Sequence, residues 1–240
     1  MVRALVNRFP NSAAVAEQVA LDLFSFVRET LERKDRVDIA LTGGTVGIAT
    51  LAAASQLPFN DLNLSRIHIW WGDERYVEAD SLDRNAVQAR NAWLRTLGIT
   101  DENIHEFPSS ESGLTVSEAA QKFNEEFSKS GIHFDLMLMG MGPDGHIASL
   151  FPGKDNWKTT VAVTYEENSP KPPSQRLSFS YAEINNSNQI WFTVAGSDKA
   201  AAVAVAFGDD PESLPVGRAR GKEKTVWYVD QTAGNLVWGC

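Results

Sequence analysis

Cysteine and histidine are scarce in this chain, and their scarcity excludes the usual metal sites. The single cysteine, Cys240, can form neither an internal disulfide nor a thiolate cluster, which is typical of a protein from a reducing compartment. We interpret Cys240 as a terminal residue without a role. No two of the four histidines have the spacing of metal ligands, and no His-Glu-x-x-His pattern occurs. The sequence therefore predicts no metal site.

Long apolar runs and an excess of positive charge are also missing. No stretch approaches the ~18 consecutive apolar residues of a membrane-spanning helix. Asn7, Arg8 and Pro10 interrupt any signal-peptide core near the start of the chain. The formal net charge of −9 disfavours nucleic acid and anionic membranes, because both attract basic surfaces. We therefore expect a cytoplasmic protein that binds neither nucleic acid nor membranes. A small anionic substrate remains compatible with this charge, but its site would need a local cluster of cations.

The apolar residues that are present follow short, regular patterns. Between residues 13 and 33 they recur about every 3.6 positions, which predicts an amphipathic helix capped by Asn11 or Ser12. Compact apolar runs predict buried strands at residues 37–41, 67–71, 136–139, 190–194 and 226–229. Helical patterns lie around residues 46–55, 85–97 and 116–130, and prolines within residues 166–174 predict an exposed loop. This alternation predicts an α/β fold with a mainly parallel sheet flanked by helices, in one domain over residues 1–240.

Glycines and polar side chains directly follow four of the predicted strands. The four segments are Thr42-Gly43-Gly44-Thr45, Gly72-Asp73-Glu74-Arg75, Gly140-Met141-Gly142-Pro143-Asp144-Gly145-His146 and Ala195-Gly196-Ser197-Asp198-Lys199. Such residues are also favoured in ordinary strand-to-helix turns. However, the carboxyl ends of parallel strands meet at the edge where open α/β sheets bind ligands. Four turns of this composition therefore favour a ligand site.

The turn at Gly43 and Gly44 predicts an anion-binding helix start. Glycine lets the backbone approach a ligand closely, and the first N–H groups of a helix attract phosphate. No Gly-Lys-Ser or Gly-Lys-Thr follows, so the turn is not a P-loop. Arg75, Arg176 and Lys199 lie beside the same predicted edge, where their charges would suit a phosphate.

The glycines within residues 140–145 formally match the spacing of a dinucleotide-binding fingerprint. Pro143 lacks the N–H that a phosphate cradle uses, and Pro152 and Gly153 would stop the following helix after about two turns. A dinucleotide site needs a longer helix behind its glycines. We therefore predict that this segment binds no dinucleotide.

His146 is the candidate catalytic base. Histidine is the usual general base near neutral pH, and Asp144, two residues earlier, would orient the ring or keep it basic. Ser149 is expected on a helical turn, as a surface or binding residue rather than a nucleophile, because no Gly-x-Ser-x-Gly pattern is present. The remaining histidines are expected to have no functional role: His68, His105 and His133.

Two segments together resemble one family. Residues 135–153, which include Gly140-Met141-Gly142-Pro143-Asp144-Gly145-His146, resemble the signature of 6-phosphogluconolactonases, and Gly72-Asp73-Glu74-Arg75-Tyr76-Val77 resembles their second signature. The resemblance implies a Rossmann-like fold shared with glucosamine-6-phosphate deaminases and ribose-5-phosphate isomerases. It also implies hydrolysis of 6-phosphoglucono-δ-lactone in the pentose phosphate pathway, without a metal or cofactor. The expected form is a monomer or weak homodimer.

Carried over by position, the resemblance implies that His146 is the catalytic base, with Asp144 and Arg75 in the same site. It implies contacts to the substrate or its phosphate from a second group: Thr42, Gly43, Gly44, Asp73, Glu74, Gly142, Arg176 and Lys199. Val46 replaces a hydroxyl residue common in the family, so the contact expected of that hydroxyl is missing. Asn85 follows an arginine rather than the usual serine and is not assigned as a ligand.

Two other functions are compatible with parts of this pattern. The related deaminases follow their Gly-His segment with Phe-Asn-Glu-Pro-Gly, whose carboxylate takes part in ring opening and isomerisation. Residues 147–153 of this chain contain no carboxylate, and Arg75 replaces the deaminase tyrosine, which favours the lactonase. A non-catalytic sugar-phosphate sensor would keep phosphate ligands and lose the base, and the presence of His146 with Asp144 argues against it.

Overall fold

The computed structural model describes residues 4–239, so Cys240 and the first three residues of the segment examined for a signal peptide lie outside the described residues. The helices are α1 (Ser12–Leu31), α2 (Gly44–Ala54), α3 (Asn85–Ala89), α4 (Arg95–Leu97), α5 (Val116–Ser130), α6 (Tyr181–Ile184), α7 (Ala200–Ala206) and α8 (Gln231–Trp238). The strands are β1 (Leu5–Phe9), β2 (Val37–Leu41), β3 (Ile67–Trp71), β4 (Asp73–Arg75), β5 (Leu136–Met139), β6 (Val163–Glu166), β7 (Arg176–Phe179), β8 (Gln189–Val194) and β9 (Lys224–Asp230).

Six strands form a parallel sheet in the order β1-β9-β8-β5-β2-β3. The strands predicted at residues 37–41, 67–71 and 136–139 are confirmed with the same bounds, and β8 and β9 extend slightly beyond their predicted ranges. After β2 the chain adds β3 on one side, and it then returns to add β5 on the other. The order of the strands therefore reverses between β2 and β5, which is where such sheets bind ligands.

Burial explains why these strands were visible as apolar runs. Every residue of β2 and β5 is buried, because both strands lie inside the sheet. The predicted first helix is confirmed as α1, and Asn11 caps it by accepting a hydrogen bond from the Ala14 N–H (3.0 Å). Its inward face repeats every four residues: Val15, Val19, Leu23 and Val27. Within residues 4–239, no helix is both long enough and apolar enough to cross a membrane.

A second sheet, with three antiparallel strands in the order β4-β7-β6, was not predicted. Its strands are three or four residues long, and β4 consists of three charged residues, so no apolar run indicates them. The predicted proline-rich loop connects β6 to β7. The pairing of β4 with β7 places Arg75 directly opposite Arg176. This small sheet therefore joins two predicted site residues that lie far apart in the sequence.

The helical turn expected after His146 is absent, because residues 143–150 form two turns, a bend and an isolated β-bridge between Ile147 and Leu150 instead. Ala148 has a φ of 46°, in the left-handed region, which a right-handed helix does not contain. The turn directs Ser149 inward, and this residue is fully buried. The expectation that Ser149 lies on a helix surface is therefore wrong. The predicted helix at residues 85–97 is interrupted by a π-helical turn at Arg90–Leu94.

Two of the histidines without an assigned role form a pair beside β3. His68 Nδ1 lies 2.9 Å from His105 Nε2, and the His105 ring stacks on Trp70 with 4.0 Å between ring centroids. Burial lowers the pKa of His68, and Arg36 adds repulsion. Burial, with repulsion from His68 and Arg36, lowers the pKa of His105 to about 4. The folded state therefore disfavours protonation of this pair.

We expect the free energy of unfolding of the wild-type chain to fall, relative to that of His105→Phe, when the pH drops from about 7 to about 5. An unfolded histidine takes up a proton near its ordinary pKa of 6.5, whereas folded His105 does so only near 4, so the unfolded state binds more protons in this window. Phenylalanine can retain the stacking on Trp70. Burial raises the pKa of Glu74, so this residue makes the free energy of unfolding rise as the pH falls. Both proteins contain Glu74, so its contribution cancels in the comparison. Urea denaturation provides the measurement, and equal changes in both proteins would contradict the prediction.

Candidate active site

A cavity of about 540 Å³ lies at the carboxyl edge of the six-stranded sheet. All four predicted strand-end turns contribute to its walls, and the Gly140 N–H joins two of them by donating to Thr42 Oγ1 (3.2 Å). The predicted site residues that line it are Thr42, Gly43, Gly44, Asp73, Arg75, Gly142, His146, Arg176 and Lys199. Asp144 and Glu74 do not line the cavity, although Asp144 contacts His146, which does.

Glycines shape the turn that carries His146. The Gly142 N–H donates to the His146 carbonyl (2.9 Å), and the Gly145 N–H donates to the Gly142 carbonyl (3.0 Å). Gly145 has a φ of 78°, which glycine adopts without strain. A Cβ at Gly142 would lie 2.0 Å from His146 Nδ1 and 2.5 Å from Asp144 Oδ1. The close packing of the imidazole against the turn therefore requires glycine at position 142.

His146 and Asp144 form a hydrogen-bonded pair, with 2.5 Å between Nδ1 and Oδ1. Burial would raise the pKa of Asp144, but the hydrogen bond and attraction from His146 outweigh it and lower the pKa to about 2. An ionised carboxylate only accepts hydrogen bonds, so the network assigns the proton of a neutral His146 to Nδ1. Nε2 then carries the free lone pair. The ring also packs on Phe151, with 4.6 Å between ring centroids.

Arg75 and Arg176 are cross-strand neighbours that both line the cavity. Arg75 donates from Nη1 to the Asp83 carbonyl, and its buried Nε has no hydrogen-bond partner among the described residues. Burial lowers the pKa of Arg176, with Asp73 opposing the shift and Arg75 adding to it. Two adjacent arginines repel each other, and an anion bound beside them would relieve this repulsion.

Asp73 is held from two sides in the cavity wall. Buried Ser149 donates from Oγ to Asp73 Oδ2 (2.6 Å), and Asn85 Nδ2 donates to the Asp73 carbonyl (2.9 Å). The Ser149 N–H donates in turn to Ser178 Oγ (3.2 Å). Ser149 therefore fixes the orientation of a carboxylate, a role that the sequence pattern did not reveal because the two residues are far apart in the chain.

Glu74 caps α3 from outside the cavity. Its carboxylate accepts the backbone N–H groups of Asn85 (2.7 Å) and Ala86 (2.9 Å), with Arg84 Nε 3.8 Å away. Burial raises the pKa of Glu74 to about 7, although Arg84 and the backbone donors oppose the shift. Successive side chains of a strand point to opposite faces, so Glu74 points away while its two neighbours line the cavity. The sequence predicts that Glu74 contacts the substrate, but the structure places this residue outside the lining of the cavity.

Gly43 and Gly44 begin α2 at the cavity. Gly44 has a φ of 78°, and a Cβ at Gly43 would lie 2.0 Å from Asn85 Oδ1. That oxygen is buried and has no hydrogen-bond partner in residues 4–239, and Asn85 lines the cavity. The sequence analysis did not assign Asn85 as a ligand. The signal that could have revealed it is that the resembled family commonly has an asparagine at this position. The structure places it at the site.

Lys199 and Lys171 add positive charge from two loops. Lys199 is one of the predicted phosphate ligands, and its Nζ donates to Asp198 Oδ2 (2.8 Å). Lys171 lies in the segment predicted only as an exposed loop, yet it lines the cavity with Pro172. Within the described residues, no three His, Cys, Asp or Glu side chains are grouped so as to hold a metal ion.

Ala148 lines the cavity in a left-handed backbone conformation, which costs non-glycine residues roughly 1–2 kcal/mol. We expect Ala148→Gly to leave the free energy of unfolding unchanged or to raise it by up to about 1 kcal/mol, because relief of strain offsets the greater entropy of unfolded glycine. Ala204→Gly in α7 is the control and should lose about 1 kcal/mol. Urea unfolding compares them, and equal losses would contradict the prediction.

The fold and the site together define a class of protein. A histidine with a carboxylate partner, clustered cations and a glycine-opened helix meet at the switch point of a parallel sheet. This combination defines an α/β enzyme for a small anionic substrate. The chain belongs to the family described as glucosamine-6-phosphate isomerases/6-phosphogluconolactonase, whose model matches residues 10–227.

Individual relatives agree over nearly the whole length of the chain. The chain is 36% identical to the 6-phosphogluconolactonase of Mycobacterium leprae, over 98% of this chain and 99% of that protein. It is 35% identical to the 6-phosphogluconolactonase of Mycobacterium tuberculosis, over 95% and 96%. The crystal structure of 6-phosphogluconolactonase from Thermotoga maritima superposes with a TM-score of 0.83 at 28% identity, covering 95% of this chain and all of that one. The family resemblance and the Rossmann-like α/β fold are therefore confirmed.

Proposed function

We propose that the chain hydrolyses 6-phospho-D-glucono-1,5-lactone to 6-phospho-D-gluconate, the second step of the oxidative pentose phosphate pathway. The observation that best supports this proposal is the hydrogen-bonded pair of His146 and Asp144, with 2.5 Å between Nδ1 and Oδ1, at a cavity lined by cations. A δ-lactone is an activated ester, so a positioned base and stabilisation of the developing oxyanion suffice. Relatives named 6-phosphogluconolactonase at 35–36% identity support the same reaction.

His146 moves the proton in this reaction. Its Nε2 removes a proton from water while the water oxygen bonds to C1 of the lactone. The tetrahedral intermediate then breaks the bond between C1 and the ring oxygen, and the imidazolium returns the proton to that oxygen. Asp144 accepts the Nδ1–H and stabilises the imidazolium between the two steps.

Arg75 is the favoured donor to the oxyanion. Its Nε is buried and has no hydrogen-bond partner in the described part of the chain. The alternative donors are backbone N–H groups of the turn, but those of Gly142 and Gly145 already donate within it. A charged donor in a partly buried site also stabilises an anion more strongly than a neutral one.

The 6-phosphate is assigned to Arg176, Lys199 and the start of α2. Arg176 and Lys199 line the same cavity as Gly43 and Gly44, whose turn exposes the first N–H groups of an eleven-residue helix. Binding there would place the lactone near His146 and convert part of the binding energy into orientation.

The observations favour a lactonase over an amino-sugar-phosphate deaminase. Residues 147–153 contain no carboxylate, and the Asp73 carboxylate is engaged by Ser149.

The decisive experiment compares lactone hydrolysis near neutral pH with the spontaneous rate in the same buffer, and it measures ammonia release from glucosamine 6-phosphate in parallel. We expect clear acceleration without ammonia. A rate equal to the spontaneous one would refute the proposal, and ammonia release would favour the deaminase.

We further propose that the enzyme acts in the cytoplasm as a monomer or weak homodimer. His146, Asp144 and Arg75, which are assigned to the reaction, come together within one copy of the chain. Sedimentation equilibrium over a range of concentrations tests the oligomeric state, and a dimer that persists at nanomolar concentration would contradict it.

A further inference from the structure

Four cations line the cavity within residues 4–239, and three of them already have partners. Arg75 donates to a backbone carbonyl, and Arg176 donates to three. Lys199 donates to Asp198 at 2.8 Å. Lys171 is the fourth, and its ammonium group has no hydrogen-bond or ion-pair partner among the described residues. It is therefore the cation most available to a ligand.

The backbone that carries Lys171 is anchored, although its side chain is exposed. The Arg176 guanidinium donates to the carbonyls of Lys171 (3.1 Å), Pro172 (3.1 Å) and Pro173 (2.8 Å). Arg176 is itself only 5% exposed. Three hydrogen bonds from a buried cation hold this part of the loop against the cavity. The backbone of Lys171 therefore has a fixed position, and its side chain lines the cavity from there.

Asp198 is the carboxylate that both lysines attract. It lies on the turn at Ser197–Lys199 and folds back over Gly196, where a Cβ would lie 2.6 Å from its Oδ1. The hydrogen bond from Lys199 lowers the pKa of Asp198, and attraction from Lys199 and Lys171 contributes to the lowering. Lys171 and Lys199, which lie on loops distant in sequence, therefore both attract the Asp198 carboxylate.

The other carboxylates of the cavity wall are engaged elsewhere. Asp73 accepts a hydrogen bond from Ser149, and Asp230 caps α8 through the Ala233 N–H (2.8 Å). Asp198 is exposed instead, and it makes its ion pair with a predicted phosphate ligand. It is therefore the wall carboxylate placed to compete with a bound anion for the lysines.

We propose that Lys171 is an additional ligand of the substrate phosphate and that Asp198 competes with that phosphate for Lys171 and Lys199. The inference rests on the proposed function, which supplies a phosphate ester. A phosphate ester carries roughly −1.5 to −2 charges near neutral pH and has three acceptor oxygens, so it attracts two ammonium groups more strongly than one carboxylate does. When the phosphate binds, it takes Lys199 from Asp198 and engages Lys171. The displaced carboxylate then repels the ligand and limits its affinity.

Removal of the Lys171 charge provides the first test. We expect Lys171→Met to weaken binding of 6-phosphogluconate by about tenfold or more, as the loss of a charge-assisted contact does. Lys129→Met is the matched control, because Lys129 is an exposed lysine of α5 outside the cavity, and it should bind as the wild type does. Isothermal titration with 6-phosphogluconate gives the affinities. Wild-type affinity in Lys171→Met, with the fold retained, would overturn the role of Lys171.

Removal of the Asp198 charge should have the opposite effect. We expect Asp198→Asn to bind 6-phosphogluconate about threefold more tightly, because both lysines lose a competing anion. The control is Asp209→Asn, an exposed carboxylate outside the cavity. The gain should shrink in the Lys171→Met background, since one of the two lysines is then missing. Weaker binding by Asp198→Asn would overturn the competition.

A second ligand separates this inference from the proposed function. D-gluconate lacks the phosphate, so neither substitution should change its binding, and an equal loss for both ligands in Lys171→Met would overturn the assignment to the phosphate. Both titrations measure binding without turnover. A wild-type chain that binds 6-phosphogluconate but does not hydrolyse the lactone would therefore refute the proposed function while leaving the lysine assignment testable.

Discussion

Replacement of His146 by alanine is expected to slow lactone hydrolysis by ~10²–10⁴-fold, which is the usual contribution of a general base. The substitution removes the only group assigned to accept the proton of the attacking water. The arginines and lysines of the cavity remain, so binding of 6-phosphogluconate should change far less than turnover. Steady-state kinetics and isothermal titration measure the two effects separately.

His133→Ala is the control for this substitution. His133 is exposed, bonds to Asn186 and does not line the cavity, so its removal should leave turnover unchanged. Asp144→Asn should also slow hydrolysis, because an amide that donates to Nδ1 favours the wrong tautomer of His146. Near-normal turnover in His146→Ala would remove His146 from the role of base.

Gly142→Ala is expected to reduce hydrolysis by about 10²-fold or more, since a misplacement of about 1 Å in an active site has effects of that size. The added Cβ would lie 2.0 Å from His146 Nδ1 and 2.5 Å from Asp144 Oδ1. The imidazole must move, and its bond to the carboxylate is strained or lost. Kinetics together with a thermal melt distinguish a displaced base from an unfolded protein.

Gly72→Ala is the matched control for Gly142→Ala. A Cβ at Gly72 would make an ordinary contact with the flexible end of Met139, 3.5 Å away, and Gly72 does not line the cavity. We expect this variant to retain most of its activity. Full activity in Gly142→Ala would show that the His146–Asp144 geometry does not limit turnover.

Several elements were predictable because their causes are local. The strands β2, β3 and β5 were found with their observed bounds because buried parallel strands are continuous apolar runs. The helix α5 was predicted from the helical pattern at residues 116–130, and its observed ends also have local causes, because Thr115 begins it with a capping box and Gly131 ends it in a left-handed conformation. The cavity edge was also predictable, since carboxyl ends of parallel strands carry the ligand-binding turns.

Other features had no local signal. The charged strand β4 forms because β7, about a hundred residues later, pairs with it. Ser149 is buried, and its hydroxyl group donates a hydrogen bond to Asp73. The positive φ of Ala148 breaks the helical turn that was expected there. Glu74 is turned from the cavity by strand alternation once β4 exists. Each of these outcomes depends on contacts between distant residues.

By itself, the sequence determined that this chain builds a parallel α/β sheet and that His146 follows one of its strands at the binding edge. Periodicity and strand-end composition are local properties, so they can be read along the chain. Only the tertiary structure decided which charges share one site: Arg75 lies opposite Arg176 across β4 and β7, and Lys171 lines the same cavity as Asp198. Electrostatic interactions depend on distance in space, and folding creates distances that the linear order of residues does not contain.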